Sequence, residues 1–230
     1  MPKHIGIVAC SAEGAALCYR TICDEAPALM GRHRHPEVSM HTYSLADYME
    51  PIYAGKNWQA VADLMLSSAN KLAASGADFL ICPDNTIHHA LELVVPKSPL
   101  PWLHIVEEVA KVAKESGFRK LTVTGTKYTM EGTVYPQKLK AAAIEYLMPE
   151  AEERARIDEI IMDELVNGIF TPQSRAYLQK VIGRMEHEGC DAVVLGCTEI
   201  PLIIDDRSSP LPTLDSTRIL ARAAIRKALE

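Results

Sequence analysis

Two short segments of the sequence place a proton-transfer group and a hydroxyl directly after an apolar run. Cys197-Thr198 follows the run 192–195, and Asp84-Asn85-Thr86 follows the run 79–82. Short apolar runs are typical of buried parallel strands, and ligands of open α/β sheets bind at the carboxyl ends of such strands. A thiol or a carboxyl group can remove or return a proton, and hydroxyls and backbone amides can bind a small carboxylate. Both segments are therefore candidates for acid/base chemistry on a small carboxylic acid.

A third candidate segment carries two threonines, Thr126 and Thr129, at the predicted start of a helix. This spacing places both hydroxyls near the positive end of the helix dipole, which favours an anion. The residues alone leave Cys197 open between a core cysteine and an acid/base, because cysteine is among the most buried residue types. We interpret the other cysteines as structural, and the pair His88-His89 as surface or capping residues.

The elements that must position these residues alternate between strands and helices. Strands are predicted at 3–10, 38–43, 79–82, 102–105, 121–124, 144–147, 192–195 and between Pro210 and Pro212. Helices are predicted at 12–25, 57–75, 85–95, 106–116, 130–143, 151–166, 171–188 and 216–230, with Ser11 as a candidate N-cap. This alternation predicts an α/β fold with parallel sheets covered by helices. Because the order of elements starts again near residue 121, we expect two pseudo-symmetric lobes, 1–104 plus 212–230 and 105–211, with the active site in the cleft between them.

Charge and composition exclude several classes of protein. The 230 residues carry a formal net charge of −6, whereas nucleic-acid binders have a basic footprint. No apolar run approaches a membrane span and the N-terminus lacks a signal-peptide pattern, so we expect a cytoplasmic protein with no membrane partner. The 6 cysteines form no CxxC pair and no metal-ligand spacing, and the patterns GxxxxGK(S/T) and GxGxxG are absent. We therefore expect no metal and no nicotinamide or pyridoxal cofactor.

The segment Gly-Cys-Thr-Glu-Ile-Pro-Leu-Ile at 196–203 resembles the second-cysteine motif of the aspartate/glutamate racemase superfamily. Four further segments fit motifs of that superfamily in the same order, at 84–88, 125–130, 159–165 and 214–217. The resemblance covers nearly the whole chain. It is closest to the bacterial broad-specificity amino-acid racemase branch, in which only one cysteine acid/base remains.

The resemblance implies two α/β lobes, a homodimer, and proton transfer at Cα without pyridoxal phosphate or a metal. In that superfamily one residue removes the Cα proton and a partner returns a proton on the opposite face. By matching position, Cys197 is the cysteine that acts on the L-side of an amino-acid or other small carboxylate substrate. The residues implied to hold the α-carboxylate are Asn85, Thr86, Thr126, Thr129 and Thr198.

The sequence departs from the superfamily pattern at two places. Asp84 replaces the first cysteine, and Ala9-Cys10-Ser11 replaces a common Gly-Gly-Met loop, in which we keep Ser11 as a candidate substrate contact. Asp84 has three interpretations: a second acid/base opposite Cys197, a ligand for a substrate ammonium or hydroxyl while Cys197 acts alone, or an inert residue. A carboxylate beside a bound carboxylate is disfavoured by repulsion unless it is protonated or paired with the substrate ammonium.

Three functions are compatible with these residues. The leading one is a cofactor-independent amino-acid racemase or epimerase that uses Cys197 and Asp84, and it predicts exchange of the Cα proton with solvent. The second is a one-cysteine decarboxylase, lyase or isomerase on a small carboxylic acid, which predicts a product of different mass or connectivity. The third is a carboxylate-binding protein, which predicts thermal stabilisation by a ligand without turnover.

Overall fold

The computed structural model describes residues 1–230, and the chain divides into two compact units. The first unit is Met1–Ile105 together with Thr217–Glu230, and the second is Val106–Ser216. Each unit contains one parallel sheet flanked by helices, which confirms the predicted α/β class. No helix of the chain is both long enough and apolar enough to cross a membrane.

The sheet of the first unit has three parallel strands. The central strand β1 (Ile5–Ala9) is fully buried because it pairs with β2 (Val38–Thr42) on one side and with β3 (Phe79–Ile81) on the other. The helices of this unit are α1 (Ala12–Glu25), α2 (Pro27–Met30), α3 (Leu45–Tyr53), α4 (Trp58–Ala74) and α5 (Leu91–Val94), with 3₁₀ turns at Thr86–Ala90 and Val95–Lys97. The order β2-β1-β3 leaves the loops after β1 and β3 side by side at one edge.

The sheet of the second unit has four parallel strands, β4 (Lys120–Thr124), β5 (Glu145–Leu147), β6 (Ala192–Leu195) and β7 (Thr213–Asp215), in the order β5-β4-β6-β7. Its helices are α6 (Ile105–Glu115), α7 (Lys127–Glu131), α8 (Val134–Ala141), α9 (Ala151–Glu159) and α10 (Pro172–His187), with a π-helical turn at Ile160–Glu164 and 3₁₀ turns at Leu165–Asn167 and Ile200–Leu202. Because β4 and β6 are neighbours, the two polar loops that follow them share one edge.

The C-terminal helix α11 (Ser216–Ala228) packs within the first unit from Thr217 onward. The Lys3 N–H donates to the Ala228 carbonyl at 2.8 Å, and Arg222 donates to both carboxylate oxygens of Glu25 at 2.7 and 2.8 Å. A bidentate arginine–carboxylate pair has defined geometry as well as charge. These contacts hold the end of the chain against its beginning.

Local capping chemistry explains where several helices begin and end. The Gly14 N–H donates to the Ser11 hydroxyl at 3.1 Å at the start of α1, which confirms the predicted N-cap. The Ser174 N–H likewise donates to the Thr171 hydroxyl at 3.0 Å at the start of α10. Gly76, with φ +90°, follows the end of α4 in a conformation that favours glycine.

The sequence analysis missed α3 and mistook the form of the helix predicted at 85–95. Helix α3 starts with a reciprocal capping box between Ser44 and Asp47, but it contains Pro51, which usually indicates a helix break. The predicted helix at 85–95 begins as a 3₁₀ turn, in which the His88 N–H donates to the Asn85 carbonyl at 3.3 Å. Capping groups and prolines therefore set the form of both segments more strongly than periodicity does.

Three other predicted elements were wrong in extent. The strand at 102–105 is a single bridge between Leu80 and Trp102, because α6 already begins at Ile105. The helix at 130–143 is split into α7 and α8 at Gly132, a residue with low helix propensity. The strand predicted between Pro210 and Pro212 instead follows Pro212 as β7, since proline lacks the N–H that a ladder needs.

Candidate active site

The carboxyl ends of β4 and β6 form one corner of the second unit. The Gly196 N–H donates to the Thr124 carbonyl at 2.7 Å, which continues the pairing beyond the last residue of β6. The two loops approach so closely that a Cβ atom on Gly125 would lie 2.8 Å from the Gly196 carbonyl oxygen. Only glycine tolerates this approach of two backbones. The loop that carries Thr126 and the loop that carries Cys197 are thereby held together.

This close approach predicts a large effect of Gly196→Ala. The new Cβ would lie 2.7 Å from the Thr124 carbonyl oxygen and 3.2 Å from Cγ2 of Thr129, so the backbone must shift. We expect the free energy of unfolding, measured by urea denaturation, to fall by about 3 kcal/mol. The control is Gly183→Ala, where the Cβ would meet only Pro210 at 3.7 Å. Because Gly183 lies inside α10, this control should be neutral or stabilising, and an equal loss in both variants would contradict the argument.

Cys197 is a buried thiol, 8% exposed, at the start of the loop after β6. Its thiol donates to Oε2 of Glu199 at 2.9 Å, and the Thr198 hydroxyl donates to the same oxygen at 2.6 Å. Both Thr198 and Glu199 are buried. The corner therefore joins a thiol, a hydroxyl and a carboxylate within hydrogen-bond distance, which is an arrangement that can hold or move a proton.

The two threonines of the neighbouring loop are also buried and in contact with each other. The hydroxyls of Thr126 and Thr129 lie 3.3 Å apart, and the Thr129 N–H donates to the Thr126 hydroxyl at 3.3 Å, so Thr126 is the N-cap of α7. The Lys127 N–H donates to Oδ1 of Asp158 at 2.8 Å, which ties the first turn of α7 to α9. The threonine pair predicted from spacing is thus held in place from two sides.

The corresponding corner of the first unit follows β3. The half-buried Asp84 uses its Oδ1 to accept a hydrogen bond from the Ile87 N–H at 3.1 Å. Asn85 and Thr86 are buried beside it. Asp84 therefore caps the 3₁₀ turn Thr86–Ala90. One carboxylate oxygen has a structural partner, whatever chemical role the carboxylate has.

His88 links this corner to Ile105, which also belongs to the first unit. Its Nδ1 lies 2.6 Å from the Asp84 carbonyl oxygen, and the Ile105 N–H donates to its Nε2 at 3.4 Å. These two bonds fit one neutral tautomer, in which Nδ1–H donates to the carbonyl and Nε2 accepts. His88 is buried, so the interpretation of this histidine as a surface residue was wrong. Its ring positions the loop that carries Asp84.

Cys82 is a cysteine at the end of β3, close to Asp84. It is fully buried, and burial raises the pKa of its thiol well above the usual range, with the nearby Asp84 as a second cause. Its thiol lies 4.0 Å from the Asp84 carbonyl oxygen. A thiol that stays protonated in the core is a poor base, which agrees with the interpretation of Cys82 as structural.

The predicted site residues fall into two groups at two sheet edges. Those at the carboxyl ends of β1 and β3 are Ser11, Asp84, Asn85 and Thr86, and those after β4 and β6 are Thr126, Thr129, Cys197 and Thr198. Their assignments as catalysts or substrate contacts stay predictions. No group of three or more His, Cys, Asp or Glu side chains is arranged to hold a metal ion. The expectation of no cofactor also stays a prediction.

The sequence analysis did not assign a role to Glu199. The residue lies two positions after Cys197, which was the only available signal, and glutamate is almost never fully buried unless it has partners. Here it is 3% exposed and its side chain turns back to the thiol and to the neighbouring hydroxyl. Glu199 therefore belongs with Cys197 and Thr198 to the candidate site at the carboxyl ends of β4 and β6.

Comparison with known proteins gives consistent matches along the chain. The family model described as Asp/Glu/Hydantoin racemase matches residues 6–224. The broad specificity amino-acid racemase RacX of Bacillus subtilis (strain 168) is 26% identical over 180 residues, which cover 76% of each protein.

Two crystal structures share the fold over almost their whole length. A Yersinia pestis protein assigned as an Asp/Glu racemase has a TM-score of 0.90 and 30% identity, and the match covers 99% of this chain and 100% of that one. PH1733, an aspartate racemase homologue from Pyrococcus horikoshii OT3, has a TM-score of 0.85 and 26% identity, with the same coverage of 99% and 100%.

Proposed function

Because this chain belongs to the Asp/Glu/hydantoin racemase family and is therefore an isomerase, we propose that it is a cofactor-independent amino-acid racemase or epimerase. The membership confirms the superfamily predicted from the sequence motifs. The observation that carries the specific proposal is the buried thiol of Cys197 at the carboxyl end of β6, beside the Thr198 hydroxyl. A thiol in such a position can act as an acid or a base.

In the proposed reaction Cys197 and Asp84 transfer protons to and from the Cα atom of one substrate. When one group removes the proton, the Cα–H bond breaks, a new S–H or O–H bond forms, and the electron pair moves into the α-carboxylate. The other group then donates a proton to the opposite face of Cα, which inverts the centre. Hydrogen-bond donors on the α-carboxylate stabilise the charge that develops there. The proposed donors are the side chains of Asn85, Thr86, Thr126, Thr129 and Thr198, with Ser11 as a further substrate contact.

Asp84 is the proposed second acid/base because it suits the role better than its neighbours Cys82 and His88. The Cys82 thiol has a raised pKa and is fully buried, and the two ring nitrogens of His88 are used by the Asp84 carbonyl and the Ile105 N–H. Asp84 is half-buried and ionisable. A carboxyl group in such a setting can serve as a general acid or base.

Proton NMR in D₂O tests the proposal directly. A panel of L- and D-amino acids is incubated with the protein, and the Cα–H signals are followed together with the enantiomer ratio. We expect loss of the Cα–H signal and inversion for at least one amino acid. If no amino acid in the panel exchanges its Cα proton while circular dichroism shows a folded protein, the racemase proposal fails.

A second candidate is one-base chemistry by Cys197 on a small carboxylic acid, as in a decarboxylase, lyase or other isomerase. The observation that favours it is the hydrogen bond from the Ile87 N–H to Oδ1 of Asp84, which gives this carboxylate a structural use. Incubation with malonates, dicarboxylates and hydroxy acids, followed by mass spectrometry and NMR, distinguishes the two. A product of different mass or connectivity supports the second candidate, and inversion without either change supports the first.

We further propose that the chain forms a homodimer in the cytoplasm and needs neither a metal nor pyridoxal phosphate. Multi-angle light scattering tests the assembly, with twice the chain mass as the expected result. Dialysis against EDTA tests the metal, since exchange at an unchanged rate is expected. A monomer, or activity that EDTA abolishes, would contradict these parts of the proposal.

A further inference from the structure

The carboxylate of Glu199 is buried, yet its partners in this corner are uncharged. Oε2 accepts one hydrogen bond from the Cys197 thiol at 2.9 Å and one from the Thr198 hydroxyl at 2.6 Å. The hydrophobic core cluster of this unit includes Cys197, Ile200 and Ile203, which lie on either side of Glu199 in the sequence. In such surroundings a charge interacts strongly with its neighbours, because little water screens it.

The side chain of Glu199 has no structural task that would explain this arrangement. The residue stands at the N-cap of the 3₁₀ turn Ile200–Leu202, but its side chain makes no capping hydrogen bond. The Leu202 N–H instead donates to the Glu199 backbone carbonyl at 3.1 Å. The carboxylate accepts its two hydrogen bonds from Cys197 and from the adjacent Thr198.

A carboxylate distinguishes between the two protonation states of the neighbouring sulfur. It accepts a hydrogen bond from a thiol, whereas it makes no hydrogen bond with a thiolate and repels its charge. The Thr198 hydroxyl holds Oε2 in position, because it donates to the same oxygen. The group next to Cys197 therefore favours the form of Cys197 that carries the proton.

We infer that Glu199 is a positioning residue that holds Cys197 as a protonated thiol, so that Cys197 enters the reaction as the proton donor and Asp84 as the proton acceptor. This inference rests on the proposed function and adds which residue accepts the first proton and which residue donates the second. In the first step the Cα–H bond breaks and an O–H bond forms on Asp84. The S–H bond of Cys197 then breaks as its proton forms the new C–H bond. The negative charge moves from Asp84 to the sulfur. Asp84 then releases its proton to solvent and the sulfur takes up a proton from solvent, which restores the starting forms of both groups.

The test measures the reactivity of Cys197 without turnover. Wild type and Glu199→Gln are treated with iodoacetamide between pH 6 and pH 10, and the modification of the peptide that contains Cys197 is quantified by mass spectrometry. Only the thiolate reacts rapidly. Removal of the neighbouring charge should raise the alkylation rate at pH 7 about ten-fold and move the rate profile to lower pH. In the exchange assay kcat should fall while KM stays nearly constant.

Cys190 is the internal control for this measurement. It is a buried thiol of the same unit, and the charged groups that affect its pKa do not include Glu199. Its alkylation profile should be the same in both proteins. If Glu199→Gln does not fold, Glu199→Asp, which retracts the charge by one methylene, should give a smaller increase of about three-fold.

An unchanged or slower alkylation of Cys197 in the folded variant would overturn the inference. Removal of a purely structural glutamate would leave the profile unchanged, and removal of a glutamate that acts as the base of the thiol would slow the alkylation. The failure of the proposed function is a separate result. If no amino acid exchanges its Cα proton but the alkylation of Cys197 accelerates as expected, Glu199 controls the thiol of an enzyme with another reaction.

Discussion

Cys197→Ala is expected to reduce the rate of inversion at least about 1000-fold, since general acid/base groups contribute about 100- to 10,000-fold. The corner offers no replacement for the thiol, because Thr198 is a hydroxyl and the Glu199 carboxylate is occupied by that hydroxyl. The measurement is inversion by chiral chromatography, together with NMR exchange in D₂O, with the substrate on which wild type is fastest.

The loss should not come from unfolding. Replacing a buried cysteine by alanine removes one sulfur atom, and we expect the free energy of unfolding to fall by about 1 kcal/mol. Cys190→Ala is the matched control, because Cys190 is also a buried thiol of the second unit and lies at the other end of β6. The control should exchange at nearly the wild-type rate. Inversion that persists in Cys197→Ala would remove Cys197 from the proposed reaction, whereas exchange without inversion would show that Asp84 still removes the proton on its own side.

Cys197→Ser separates the proton-transfer role of the sulfur from its volume. A serine hydroxyl can donate the same hydrogen bond to Oε2 of Glu199 but is a far weaker acid than a thiol. The rate of inversion should therefore fall nearly as far as in Cys197→Ala, while stability stays close to that of wild type.

The parts of the fold that could be predicted from sequence are those fixed by local chemistry. Apolar runs such as 192–195 predicted buried parallel strands, and hydroxyl side chains such as Ser11 and Thr171 predicted helix starts. Each signal depends on a few adjacent residues. The edges of the sheets where polar residues follow β1, β3, β4 and β6 could be predicted for the same reason.

The parts that could not be predicted depend on features that the periodicity of a segment does not show. Pro51 is compatible with α3 because the capping box between Ser44 and Asp47 fixes the first turn. Leu80 of β3 pairs with Trp102 in a single bridge and not in a full strand, since α6 begins at Ile105. Neither outcome can be read from the periodicity of the segment itself.

In the candidate site, too, some residues could be predicted from the sequence and others could not. Positions 84 and 197 could be identified because a reactive residue directly follows an apolar run. The role of His88 depends on the Ile105 N–H, which is 17 residues away, and the burial of Glu199 depends on how its side chain folds back to Thr198. Such contacts follow from tertiary packing, so sequence reasoning could propose the reacting groups but missed the residues that contact them.

Asp84→Asn is expected to reduce inversion at least about 100-fold while the protein stays folded. Asparagine keeps an oxygen at the Oδ1 position, so the hydrogen bond from the Ile87 N–H survives, whereas the group can no longer gain or lose a proton. The change therefore removes the proposed acid/base and keeps the cap. Chiral chromatography measures inversion and NMR in D₂O measures exchange. Exchange that continues without inversion would show that Cys197 still removes the proton on its own side.

Asp84→Ala is the control that also removes the cap. The Ile87 N–H then loses its partner, and the free energy of unfolding should fall by about 1 kcal/mol, as is usual for the loss of a capping side chain. If inversion stays at the wild-type rate in Asp84→Asn and falls only in Asp84→Ala, Asp84 is a capping residue and not an acid/base. In that case the one-base candidate becomes the better account of the chain. If both variants lose inversion and only Asp84→Ala loses stability, the carboxyl proton is what the reaction requires.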